Sequence, residues 1–212
     1  MARWHRVDCV PGDRNPRLFK TLWKWFRNIP AAYSQPDVQA RFTDSIDIPF
    51  LESTIKRLET RVKSMNCPVT FCHNDLLSAN IIYNPEDKDV AFIDYEYGSF
   101  NYRSFDIANH FCEFGGFDCD YSLYPDEKFQ RNWIKEYLGD SEITADNATY
   151  IDQIVMEVEV FTLIAHAFWV LWALVQAQVS DIPFDYMGYA VFRFIEFKRR
   201  AVIFDHHVQC DQ

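Results

Sequence analysis

A short polar run, HNDLLSAN, brings together His73, Asn74, Asp75 and Asn80, and Asp94 follows after an apolar segment. A carboxylate such as that of Asp75 can accept or orient the proton of an attacking hydroxyl group. Asn80 offers a neutral oxygen and Asp94 a charged one, and oxygen ligands of these kinds are those that Mg²⁺ prefers. These residue types therefore suit a reaction in which metal ions neutralise phosphate charge while a base positions the acceptor hydroxyl.

Each residue alone has a simpler interpretation. An Asp in a loop is usually a turn or cap residue, and the Asn before the IIY run could simply begin a strand. The surrounding pattern favours the chemical interpretation, because IIY and VAFI are apolar runs separated by NPEDKD, which predicts a β-hairpin. Such a hairpin returns Asp94 to the neighbourhood of Asp75 and Asn80. Protein kinases place an Asp, an Asn five residues later and a metal-binding Asp in the same order.

The chain resembles the choline/ethanolamine kinase family from about Ala2 to Phe204. Three segments carry the resemblance in the family's order: HNDLLSANI, IDYEYGSFNYRSFDIANHFCEF and FWVLWALVQAQVSDIPFDYMGYAVFRF. Within them, EFGGFDCDYSLYP and FDYMGYAVFRF are more similar to the ethanolamine kinases than to the choline kinases. The activity that this implies is ATP-dependent phosphorylation of ethanolamine to phosphoethanolamine, a step of phosphatidylethanolamine and hence phospholipid biosynthesis. Choline as the substrate is one alternative, and a non-catalytic kinase-like protein that binds ethanolamine or a kinase partner is another.

The fold that the resemblance implies is α+β and mainly α, the C-terminal (large) lobe of a protein-kinase-like fold with the small lobe absent. The sequence has six glycines, no G-x-G-x-x-G and no counterpart of the strand lysine before the catalytic loop. We expect one domain over residues 1–212, with the catalytic loop at 70–106 and amine-binding helices at 147–204. Little or no activity is expected from such a chain alone, since nothing would close over the nucleotide.

The resemblance also assigns roles at the site. Asp75, Asn80 and His73 are the predicted catalytic residues, and Asn80 with Asp94 would hold Mg²⁺ and, through it, ATP. Predicted contacts to the substrate ammonium come from Glu113 and from three aromatic residues, Trp169, Trp172 and Tyr189. Asp118 and Asp120 are alternatives to Glu113 as acceptors of hydrogen bonds from a primary ammonium.

The aromatic residues are ambiguous without the resemblance. Trp169 and Trp172 are three residues apart, so both lie on one helix face, and Tyr189 stands early in the next helix. Aromatic faces attract organic cations, but aromatic residues at helical spacing more often belong to a core. The amine-binding interpretation therefore depends on the family resemblance.

Composition limits the partners. The net charge is −10, and residues 73–159 contain 19 Asp and Glu against 5 Lys and Arg, which argues against nucleic acid or an anionic membrane as a partner. The six cysteines show no pairing pattern, which favours reduced thiols and a cytoplasmic protein. The longest apolar run, residues 160–175, is short for a membrane span. A homodimer is compatible with these features.

The expected elements follow from periodicity and turn residues. We expect helices through His5 and over 49–65, 105–114, 125–138, 145–178 (with one break allowed) and 184–204, and a strand over 69–72. Residues 18–26 form a segment rich in Trp and Phe. A polar loop with Pro30, Pro36 and Pro49 is predicted after Phe26, and the segment YEYGSFNYRSFD after Asp94 is predicted as a loop that leads into the helix beginning at Phe105. Asp106 would either cap its helix or accept hydrogen bonds from the catalytic loop, capping being the commoner role.

Overall fold

The computed structural model describes residues 1–139 and 147–210. The described helices are α1 (Ala2–His5), α2 (Leu18–Arg27), α3 (Pro36–Ser45), α4 (Ile48–Met65), α5 (Arg103–Cys112), α6 (Glu127–Leu138), α7 (Asn147–Val179) and α8 (Tyr186–Cys210). The strands are β1 (Val69–Cys72), β2 (Ile81–Asn84), β3 (Asp89–Phe92) and β4 (Ser99–Tyr102). The predicted α+β, mainly helical composition is confirmed, and the assignment to a large lobe stays a prediction.

The chain divides into two compact units. The first unit comprises residues 1–17, 65–116 and 120–162, and the second comprises residues 18–64, 117–119 and 163–212. All four strands and the predicted catalytic loop belong to the first unit. The second unit contains α2 to α4, the later part of α7, and α8. One domain over residues 1–212 stays a prediction.

Both sheets of the first unit are antiparallel pairs. The predicted hairpin is present, because β2 pairs with β3 in a register that sets Ile81 opposite Phe92. β1 pairs with β4, with Cys72 opposite Ser99. The prediction of a loop at β4 was wrong. Ser99 and Asn101 are residue types common in loops, yet they lie in a strand whose Phe100 is buried.

The loop predicted between α2 and α4 was also wrong in part. Pro36 occupies the first turn of α3, where a missing backbone N–H costs nothing. Val38 of this helix is buried, and Arg41 reaches Asp185 at the start of α8 with Nη1 at 2.8 Å from a carboxylate oxygen. Proline disrupts the interior of a helix but is tolerated in its first turn.

α7 is one helix without the break that the sequence allowed, and residues 145 and 146 of the predicted span lie outside the described residues. By length and composition alone, residues 148–179 could cross a membrane, and 83% of the most apolar window is buried inside the protein. Burial of this extent is typical of a core helix, so the apolar character is explained by packing.

Candidate active site

The predicted catalytic loop is held by a buried amide network. Asn74 has a left-handed backbone, with φ of 66°, between the end of β1 and the loop. Its side-chain Nδ2 donates to the carbonyl oxygen of Tyr97 at 2.9 Å. Its Oδ1 accepts from Nδ2 of Asn101, which lies on β4, at 2.8 Å. The strand that the sequence missed thus fixes the residue immediately before Asp75.

Asp75 and Asn80 are brought together by the 3₁₀ turn at Ser78–Asn80. The Asn80 side-chain Nδ2 donates to the backbone carbonyl oxygen of Asp75 at 2.8 Å and lies 3.3 Å from its Oδ2. Because the NH₂ group of the amide is used in these contacts, its Oδ1 is left as the acceptor, which is the atom that a metal ion needs. Both residues are buried, with 8% and 7% of their surfaces exposed.

Asp94 returns to the same place through the hairpin. The backbone N–H of Ile93, the residue before it, donates to the carbonyl oxygen of Asn80 at 3.1 Å. Asp94 itself is exposed and has a left-handed backbone with φ of 63°. An aspartate tolerates this conformation better than most residues do. The hairpin thus joins the two predicted metal ligands by a direct backbone contact one residue from Asp94.

Electrostatics single out Asp75. Burial, followed by the negative charges of Glu113, Asp94 and Glu96, raises its pKa from 3.8 to about 8, while the hydrogen bond from Asn80 opposes the rise. Carboxylates that interact this strongly lie close together. The charge of Glu113, the predicted ammonium partner, thus acts on the predicted base. A cation among these carboxylates would lower the pKa of Asp75 and restore its ionised form.

His73 is fully buried and uses both ring nitrogens. Nδ1 accepts the backbone N–H of Asp75 at 3.3 Å, so Nε2 carries the proton and donates it to the carbonyl oxygen of Ile93 at 2.9 Å. The ring therefore ties the loop to the residue before Asp94. The catalytic role predicted for His73 stays a prediction, and these contacts favour a positioning role.

The Asp106 side chain accepts hydrogen bonds from the backbone of the catalytic loop. Its Oδ2 accepts the backbone N–H of His73 at 2.9 Å, and its Oδ1 accepts that of Asn74 at 2.7 Å. The second of the two roles considered for Asp106 is therefore the observed one. Burial acts to raise the pKa of Asp106, but the hydrogen bond and charge of His5 and the two backbone donors hold it below its usual range.

The predicted amine-binding aromatics form a cluster in the second unit. The rings of Trp169 and Trp172 meet edge to face with centroids 5.4 Å apart, and Trp172 meets Tyr189 in the same way at 6.4 Å. Trp169 and Tyr189 are 5% and 4% exposed, whereas Trp172 is partly open. Tyr189 also accepts a hydrogen bond from Nε of the buried Arg193 at 2.9 Å. Trp172 is thus the ring best exposed to a ligand.

Several residues of these regions were not predicted. Glu96 is an exposed carboxylate close enough to raise the pKa of Asp75, and its place two residues after Asp94 was the available signal. Asn101 gave no signal, because its role depends on the pairing of β4 with β1. Phe117 and Phe184 pack against Tyr189 with centroids 6.0 and 5.8 Å away, which no local periodicity indicates.

The chain is similar in sequence and in fold to known proteins. A probable ethanolamine kinase of Arabidopsis thaliana is 38% identical over 201 residues, covering 94% of this chain and 53% of that protein. Human ethanolamine kinase 1 is 41% identical over 210 residues, covering 93% of this chain and 45% of that protein. An ethanolamine kinase structure from Plasmodium vivax superposes with a TM-score of 0.81 at 32% identity, covering 92% of this chain and 56% of that one.

The chain thus spans about half the length of the relatives that it matches. A sequence model of one family, choline/ethanolamine kinase, matches residues 1–198, which is nearly the whole chain. The match includes the loop of Asp75 and Asn80, the hairpin to Asp94 and the helices that carry the aromatic cluster. The chain belongs to the choline/ethanolamine kinase family.

Proposed function

We propose that this chain carries the phosphoryl-transfer site of an ethanolamine kinase, which phosphorylates ethanolamine with ATP and supplies phosphoethanolamine for phospholipid synthesis. The observation that carries the proposal is the assembly of Asp75, Asn80 and Asp94 by one loop and one hairpin. Membership of the family supports the reaction class, and the ethanolamine kinases among the relatives support the substrate. A cytoplasmic location fits this activity.

The donor set fits Mg²⁺. Asn80 presents a neutral amide oxygen and Asp94 a charged carboxylate, while Glu96 offers a second carboxylate nearby. Hard oxygen ligands of this kind, few in number, are usual where substrate phosphates complete the coordination. Bound Mg²⁺ would supply charge neutralisation on the phosphates of ATP.

The protein's own residues would then position the acceptor. Asp75 would orient the hydroxyl of the amine alcohol and take its proton, since Asn80 contacts its carboxylate and Asp106 holds the backbone of Asn74, the preceding residue. Glu113, whose charge raises the pKa of Asp75, would attract an ammonium group on the same small molecule. A two-carbon amine alcohol has its two polar ends close enough to meet two neighbouring carboxylates.

Choline is the alternative substrate. A choline kinase structure from Cryptosporidium parvum superposes with a TM-score of 0.71 at 25% identity. A quaternary ammonium needs aromatic faces but no hydrogen-bond acceptor, whereas a primary ammonium needs both. The half-buried carboxylate of Glu113 therefore favours ethanolamine over choline.

A binding protein without catalytic activity is the second candidate function. Retention of Asp75, Asn80 and Asp94 favours the enzyme, because a binding protein needs neither a buried base nor a metal ligand set.

A chimaera tests the proposal. This chain replaces the matching segment of human ethanolamine kinase 1, and phosphoethanolamine and phosphocholine formation are measured with Mg²⁺ and ATP. We expect turnover with a higher kcat/KM for ethanolamine, and a loss of kcat of about 10²-fold or more in Asp75→Asn with little change in KM. A folded chimaera with turnover equal to that of its Asp75→Asn variant would refute the enzyme, and a preference for choline would refute the substrate.

A further inference from the structure

A buried chain of hydrogen bonds joins α1 and α6 to the catalytic loop. Nε2 of His5 lies 2.8 Å from Oδ2 of Asp106, and Nδ1 of the same ring lies 2.8 Å from the hydroxyl oxygen of Tyr137. Asp106 in turn accepts the backbone N–H groups of His73 and Asn74. His5 is 6% exposed and Asp106 is fully buried, whereas Tyr137 is partly exposed and lines a surface cavity of about 160 Å³ together with His5.

The direction of the hydrogen bond between His5 and Asp106 follows from the carboxylate. An ionised Asp106 can only accept, so Nε2 of His5 carries a proton and donates it. The hydroxyl of Tyr137 can donate to Nδ1 of a neutral ring or accept from Nδ1 of a protonated one, so this contact is a hydrogen bond in either form of the ring. Tyr137 thus fixes the orientation of the His5 ring, and His5 fixes one oxygen of Asp106.

A metal site is the competing interpretation of the same cluster. Ligand atoms of His5, Cys72 and Asp106 lie within 4.8 Å of one another. Burial, first among the causes, raises the pKa of the Cys72 thiol well above its usual value, and its Sγ contacts the carbonyl oxygens of Thr70 and Asn101. A protonated thiol is a poor metal ligand. Both oxygens of Asp106 already accept hydrogen bonds, so these contacts favour a hydrogen-bonded cluster.

We propose that His5 and Tyr137 are positioning residues that hold the catalytic loop in its working shape through Asp106. The Asp106 carboxylate accepts hydrogen bonds from the backbone of His73 and Asn74, the two residues directly before Asp75. Asn74 has the left-handed backbone that turns the chain there, so a shift of Asp106 would move the turn and Asp75 with it. The inference rests on the proposed function only in taking Asp75 as the base.

Amide hydrogen exchange of the 212-residue chain tests the proposal without substrate. His5→Phe keeps a ring but removes both hydrogen bonds, and Tyr137→Phe removes only the hydroxyl. We expect exchange at His73 and Asn74 to accelerate about 10-fold or more in the first variant and severalfold in the second, through local opening of the loop. His5→Gln, whose side-chain amide can still donate to Asp106, should restore most of the protection.

Two controls separate positioning from general destabilisation. Tyr124→Phe deletes another tyrosine hydroxyl of the same unit, one that lies 2.8 Å from Oγ1 of Thr162 and outside this chain of hydrogen bonds. It should leave the loop amides unchanged. Amides of buried α5 residues such as Ile107 serve as the internal reference.

Three results would overturn the proposal. One is equal acceleration of the loop and of α5 in the variants that remain folded. Another is a Tyr137→Phe variant in which the ¹⁵N signals of the His5 ring are unchanged and the loop amides keep full protection. The third is stoichiometric Zn²⁺ binding that shifts the His5 ring signals. None of these readouts depends on turnover, so failure of the kinase proposal would leave the result readable.

Discussion

Replacing Asp75 with asparagine should stabilise the protein at high pH although it removes the proposed base. The folded-state pKa of Asp75 is about 8 against 3.8 ordinarily, so between these values the folded state holds a proton that the unfolded state has released. Stability contributed by that proton is therefore full below about pH 4 and is lost as pH rises through 8. Asparagine does not titrate, so the free energy of unfolding of the variant does not fall for this reason as pH rises.

The shift sets the size of the effect. About four pH units at 1.36 kcal/mol each give a ceiling of about 6 kcal/mol. Because Asp75 interacts with three other carboxylates that can rearrange, we expect about 1–3 kcal/mol at pH 9 and almost none at pH 4. Bound Mg²⁺ and ATP should shrink the difference, because the cation stabilises the ionised carboxylate.

Urea denaturation at a series of pH values measures this difference. Asp44→Asn, at an exposed aspartate of α3, is the matched control and should show no trend with pH. If the free-energy difference between Asp75→Asn and the natural protein were the same at pH 5 and pH 9, the reasoning about the buried carboxylate would be refuted.

Other predictions address metal, amine and chain length. Asp94→Ala should abolish Mg²⁺-dependent turnover in the chimaera; Mg²⁺-dependent phosphoethanolamine formation at the natural rate would contradict its role as ligand. Trp172→Ala should weaken ethanolamine binding by about 1–2 kcal/mol if its ring meets a desolvated cation, which the change in KM would report and an unchanged KM would refute. Glu113→Gln should lower the pKa of Asp75 by removing a neighbouring negative charge, as followed by carboxyl ¹³C NMR across pH; an unchanged titration would refute their proximity. The 212-residue chain alone should form little phosphoethanolamine above an Asp75→Asn blank, and turnover near 1 s⁻¹ would contradict this.

The sequence predicted the parts of the site whose signals are local. The spacing of Asp75, Asn80 and Asp94 and the polar turn between two apolar runs sufficed for the loop and its hairpin. The long apolar α7, which carries Trp169 and Trp172, and α8, which carries Tyr189, also follow from composition and periodicity.

The remaining parts depend on contacts between residues distant in the sequence. β4 is a strand because it pairs with β1, and its residues alone read as a loop. Capping was the commoner of the two roles expected for Asp106, and only the folded chain brings the backbone N–H groups of His73 and Asn74 to its carboxylate. The role of His5 needed the positions of α1, α5 and α6 together, which no single segment encodes.

Paramagnetic broadening by Mn²⁺ tests the central claim most directly. Mn²⁺ takes oxygen ligands as Mg²⁺ does, and with ATP it can be titrated into the ¹⁵N-labelled 212-residue chain. Broadening should centre on the side-chain amide of Asn80 and the backbone amide of Asp94, and it should vanish in Asp94→Ala. Broadening centred elsewhere in the acidic first unit, or unchanged in that variant, would contradict the assignment of this loop and hairpin as the metal and nucleotide site.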